Sequence, residues 1–136
     1  MPKIPPPTPW KAFGQTAGNV EYLVLLTHLP VRRMTALPKF LNKVRVIRKQ
    51  LNAGPSGLVG YSLLAQPFSS NYWTLSAWES PAALAGFIRE SPHREVMEEL
   101  PKSLSNFRSW RWRAAGSSLP PSWEDALTRP GQEKPR

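Results

Sequence analysis

The chain has no cysteine in its 136 residues. Disulfides, thiolate nucleophiles and cysteine-built metal sites are thereby excluded. Histidine is almost as scarce: there are two, His28 and His93. Their distance in sequence gives a metal site poor support, and no metal is expected. No glycine-rich loop follows a strand, so nucleotide binding has no motif to rest on. No run approaches the roughly 18 apolar residues of a membrane span, and the proline-rich start lacks a signal-peptide core. The expectation is a soluble cytoplasmic protein that does not engage the membrane. Acid is also short, with nine Asp and Glu against 18 Lys and Arg, a net charge of +9.

The distribution of that charge matters more than its sum. Residues 20–115 hold most of the excess, while residues 116–136 carry as many acids as bases. A basic folded unit could suit an anionic ligand or nucleic acid, but a solvated basic surface is the simpler reading. Residues 1–19 contain five prolines and two glycines and read as an extended arm. Three segments result: the arm at 1–19, an α+β domain at 20–115, and a C-terminal extension at 116–136 with a short helix.

Within the domain, Val20 to Leu29 is aliphatic at both parities, as in a strand buried on both faces. Residues 35–53 form a helix in which Leu37, Phe40, Leu41, Val44, Ile47 and Leu51 recur at three- and four-residue steps. Lys39, Lys43 and Lys49 fall off that stripe and should face water. Asn52-Ala53-Gly54-Pro55 stops the helix. Gly57 to Ala65, broken by Gly60, and Tyr72 to Glu79 are the next two strands, joined as a hairpin. Ser80-Pro81 and Ser91-Pro92 each open a short helix: the serine caps the first turn, and the proline that follows loses no needed hydrogen bond. Asn106 to Ala114 alternates as a fourth strand, and Gly116 ends it. The order is ferredoxin-like βαββαβ, with the second helix split and a four-stranded antiparallel sheet under helices on one face.

Alternation along the strands makes both sheet faces largely apolar. Trp73, Leu75 and Ala77 share one face, and Tyr72, Thr74, Ser76 and Trp78 the other. Helices can cover one of them. The bare face would measure roughly 400 Å², which is typical of an interaction site. A homodimer through that sheet face is the expected solution. RNA recognition also uses βαββαβ order, but it needs exposed aromatics in a Lys/Arg-Gly-Phe/Tyr pattern. Asn71 to Trp78 lacks that pattern, so nucleic acid is an unlikely partner.

Thr74-Leu-Ser-Ala-Trp78-Glu-Ser80, an Ala/Leu/Phe helix and Ser91-Pro-His93-Arg together resemble the antibiotic biosynthesis monooxygenase-like superfamily. Trp110-x-Trp112-x-x-Ala-Gly116, with Pro120 to Ala126 after it, is similar to an uncharacterised bacterial branch. The resemblance spans residues 20–127 and implies a dimeric α/β barrel. It also implies oxidoreductase chemistry: cofactor-independent quinone-forming monooxygenases and haem-degrading monooxygenases are relatives, beside members of no known activity. Trp78 matches the pocket tryptophan of the haem-degrading relatives. Their haem-ligating histidine aligns with Met97, one turn beyond His93. Haem is therefore disfavoured, and no cofactor is expected.

The residues themselves point to one candidate site. His93, Val96, Met97 and Leu100 share a helix face turned toward the sheet. A neutral imidazole near a helix N-terminus is a candidate base, although a hydrogen-bonded core histidine would share its pattern. Thr74 and Ser76 share the face of Trp78 and offer hydroxyls to a substrate, or form a cross-strand pair. Met97 completes the apolar wall, and Arg111 and Arg113 are anion-pairing candidates. His28, near the end of the first strand, is a weaker candidate. The leading expectation is a cofactor-independent monooxygenase-like enzyme acting on a small aromatic or polyphenolic molecule. The alternatives are a non-catalytic small-molecule-binding dimeric module and a haem-degrading monooxygenase. A gap closed by Trp78 and Met97 would favour the non-catalytic module.

Overall fold

The computed structural model describes residues 7–14, 16–66, 69–90, 93–99 and 108–132. Its elements run β1 (Lys11–Ala12), β2 (Glu21–Pro30), α1 (Leu37–Asn52), β3 (Leu58–Gln66), β4 (Asn71–Trp78), α2 (Pro81–Arg89), α3 (His93–Glu99), β5 (Arg108–Ala115), α4 (Trp123–Ala126) and α5 (Arg129–Gln132). The class is α+β. The strands form one antiparallel sheet in the order β1-β3-β4-β2-β5.

The sheet has five strands, not the expected four. Lys11 and Ala12, from the proline-rich arm, pair with Tyr61 and Gly60 along the edge of β3. A two-residue strand is too short to show a period, which is why the sequence does not announce it. The four long strands alone keep the ferredoxin-like order, with β2 and β4 central. Ser91 and Pro92, the expected cap of α3, lie outside the described residues, as does the start of the expected fourth strand at Asn106.

Local signals explain most element ends. Ser80 accepts a hydrogen bond from the Ala83 amide at 3.1 Å, and Pro81 occupies the first helical position of α2. Gly54 takes φ +72° just past α1, where its amide bonds the Leu51 carbonyl at 3.0 Å. A bulge lies between Leu58 and Gly60. Gly60 is needed for space: a Cβ there would lie 2.4 Å from the Trp10 indole.

On α1 five of the six expected stripe residues pack inward, and Leu41 is the exception. Phe40 and Leu51 are buried, and Leu37, Val44 and Ile47 pack beside them, but Leu41 is 47% exposed. At about 100° per residue, Leu41 stands about 100° from Phe40, whereas Lys43 stands only about 60° away. Lys43 accordingly does not face water. It is largely buried and pairs with Glu99 of α3.

The two faces of the sheet are filled differently. Leu23, Leu58, Tyr61 and Trp78 pack under α1 and α2 with Leu51, Leu84 and Phe87. The opposite face carries Val24, Leu26, Leu75 and Ala77, all fully buried. Their cover comes from within the chain. Ala126, Trp123 and Leu119 from the C-terminal segment, and Trp10 from the arm, pack on that face with Trp73, Trp110 and Trp112. Ser62 ties the two covering pieces together. It donates to the Thr8 carbonyl at 2.6 Å and accepts from the Trp123 indole at 3.0 Å. The bare apolar face on which the homodimer expectation rested is therefore covered by the chain's own ends.

Candidate functional site

A cavity of about 270 Å³ lies between the sheet and the three longer helices. Residues of β2, β3, β4 and β5 form its floor, and residues of α1, α2 and α3 form its roof. It gathers all five sequence-predicted residues, Thr74, Ser76, Trp78, His93 and Met97. The strand alternation brings in the first three. The spacing of His93 and Met97 on α3 brings in the other two. Leu25, Leu29, Leu63, Phe40, Ile47 and Phe87 make the wall largely apolar. The gap is open, not filled by Trp78 and Met97.

His93 is held from two sides. Its backbone amide donates to the Gln50 Oε1 of α1 at 3.0 Å. Its Nδ1 lies 3.3 Å from the Ile88 carbonyl oxygen. A proton on Nδ1 satisfies that carbonyl and leaves Nε2 as the lone-pair nitrogen. Nε2 has no hydrogen-bond partner among the described residues. Burial pushes the imidazole pKa below 6.5, with the Ile88 contact opposing the shift. At neutral pH the ring is therefore an uncharged base beside Phe87, whose ring centroid lies 4.9 Å away.

Trp78 is 1% exposed and stacks obliquely on Phe87 at 5.1 Å. Its indole donates to Ser76 Oγ at 2.9 Å, so Ser76 is bonded along its own strand and not to Thr74. Ser76 still has a hydroxyl proton to give.

The cavity also contains residues that the sequence reading left aside. Thr27 of β2 stands directly opposite Thr74 of β4 and Ser109 of β5. Three hydroxyl residues thus line up across adjacent strands. None of the three makes a side-chain hydrogen bond among the described residues. In the next row Leu25 separates Ser76 from Arg111, and Arg48 joins them from α1. Alternation with Leu25 and Leu29 was the available sign for Thr27. Ser109 carried a similar sign, because it alternates with Trp110 as Arg111 does; Arg48 had none, because it is an exposed polar residue whose position depends on tertiary placement. Arg113 shares Arg111's face but does not line the cavity, and His28 is on the far face, stacked on Trp73 at 4.2 Å and bonded to Asn71.

Among the described residues no three His, Cys, Asp or Glu side chains cluster as metal ligands, and no helix is long and apolar enough to cross a membrane. The cavity volume lies just below the roughly 300–1,000 Å³ of drug-sized ligand pockets.

Neither a family model nor a curated protein matches the sequence. Solved structures match the fold. A provisionally named monooxygenase from Lactobacillus acidophilus superposes with a TM-score of 0.59 at 14% identity, over 75% of this chain and 50% of its own. This chain thus spans about half the length of that protein. A provisionally named antibiotic biosynthesis monooxygenase from Nitrosomonas europaea gives 0.59 at 10% identity, over 66% of this chain and 95% of its own. A protein from Pseudomonas aeruginosa gives 0.62 at 15%, over 74% and 98%. At these identities the likeness establishes the fold. That fold is the α+β arrangement of these solved structures.

Proposed function

We propose that this protein is a cofactor-independent monooxygenase-like enzyme acting on a small phenolic aromatic molecule. The observation that carries the reading is the cavity itself, an open and mostly apolar space with one neutral imidazole in its wall. Convergence of a few polar groups in an apolar pocket is the usual form of a small-molecule site.

The chemistry follows from those parts. His93 Nε2 takes the phenolic proton, and the phenolate lies against Trp78 and Phe87. The electron-rich ring is the reductant. Dioxygen takes four electrons from it: one oxygen atom becomes the second quinone oxygen, and the other leaves as water with two hydrogens from the substrate. The protein supplies a base, a dry wall and a fixed orientation.

The test is oxygen uptake and quinone formation with a panel of naphthols and anthracenols. His93→Ala should lower turnover by about 10²–10⁴-fold, the usual worth of a general base. Unchanged turnover in that variant removes His93 from the mechanism. Binding without turnover across the panel reduces the protein to a small-molecule-binding module.

A further inference from the structure

Charge inside and around the cavity is one-sided. Three cations line it: Lys43, Arg48 and Arg111. No Asp or Glu does. Lys43 is neutralised by its ion pair with Glu99. Arg48 and Arg111 form no ion pair among the described residues. Two guanidinium groups thus border an apolar space with nothing to balance them.

The unused hydroxyls add a second feature. Thr74, Thr27 and Ser109 form one row across β4, β2 and β5, and Arg111 follows Ser109 on the same face of β5. This leaves a polar strip along one side of the floor, ending at a guanidinium. Thr74 and Thr27 are half-buried and Ser109 is exposed, and hydroxyls with no protein partner suit the oxygen atoms of a ligand. A planar guanidinium suits a carboxylate, which it can bind through two parallel hydrogen bonds.

We infer that the cavity selects an oxygen-substituted aromatic acid, resting on the cavity reading proposed above. Its fused rings occupy the space beside Trp78 and Phe87. Its ring oxygens lie over Thr74 and Thr27. Its carboxylate reaches Arg111 past Ser109, with Arg48 approaching from α1. In this arrangement the anion fixes which ring carbon lies near His93, so the charged end sets orientation as well as affinity.

Two probes separate the charge from the ring: 1-hydroxy-2-naphthoate and 1-naphthol, titrated by calorimetry against the full chain at low salt. The naphthoate should bind about tenfold tighter or better. Arg111→Gln should remove most of that preference and leave 1-naphthol affinity unchanged. Arg48→Gln should remove a smaller part of it. Thr27→Val should weaken both probes. Equal affinity for the two probes in the wild-type chain overturns the inference and leaves the apolar cavity reading standing. So does a preference that survives both arginine substitutions. No binding of either probe overturns the cavity reading and the inference together.

Discussion

At His93, burial and a carbonyl contact act in opposite directions, and burial wins. The consequence can be read in two ways. The folded imidazole has a pKa below 6.5, whereas in the unfolded chain it titrates at about its ordinary value. Between those two values the unfolded chain binds more protons, so stability rises with pH across the window and is lost as pH falls through it. Urea unfolding of the wild type should show that slope, and His93→Gln should flatten it. The acid limb of kcat/KM should have its midpoint below 6.5; a midpoint above it would assign the limb to another group. Ser76 makes a second case. Ser76→Ala would leave the buried indole N–H of Trp78 without an acceptor. The expected cost is about 1–3 kcal/mol, measurable by chemical denaturation. Residue types alone selected Thr74, Ser76, Trp78, His93 and Met97, because alternation and helical spacing put them on inward faces. They did not distinguish Ser76 bonded to Trp78 from Ser76 paired across strands. That choice depends on a rotamer.

The elements were most legible where chemistry fixes the backbone. Ser80-Pro81 caps α2 as its sequence says, and Ser80→Ala should cost about 1 kcal/mol in thermal or urea unfolding. Gly57 is under a different constraint, with φ +84° and a Cβ that would lie 2.3 Å from that of Ala83. Substituting Gly57 would disturb the loop against which α2 packs. On α1, hydrophobicity suggested Leu41 and excluded Lys43. The inward stripe is narrower than expected: it keeps Leu37, Phe40, Val44, Ile47 and Leu51 but leaves out Leu41, while Lys43 at its other edge pairs with Glu99 of α3. Gln50 shows what pattern cannot reveal. It is a polar residue on α1 whose carbonyl accepts the His93 amide at the start of α3. Gln50→Leu should therefore shift the His93 pH profile as well as stability, through a residue that does not line the cavity.

At the scale of the molecule, the N-terminal arm and the C-terminal segment pack on the sheet face through which a homodimer was expected. Five of the six tryptophans, all but Trp78, meet on the far face of the sheet. There Arg129 sits over Trp112 at 4.4 Å, and Ala126 is completely buried. The apolar character of this face was plain from alternation. Its cover was not, because Trp10 and Trp123 lie in proline-rich stretches without a period, and only the folded arrangement brings Trp10 to Gly60 and Trp123 to Ser62. Ala126→Arg places a long cation where no space exists. It should release the C-terminal segment, raise binding of a hydrophobic dye and increase the apparent mass in gel filtration. An unchanged elution volume and dye signal would mean that the cover does not depend on this contact.

That seal has a kinetic and thermodynamic signature of its own. A core completed by a second molecule gains stability with concentration, because association draws the folded form out of the equilibrium. Here both walls of the tryptophan core belong to one chain, so a core sealed within that chain would form in a unimolecular step. The melting temperature should stay fixed as protein concentration is raised, and refolding should follow a first-order rate that dilution does not change.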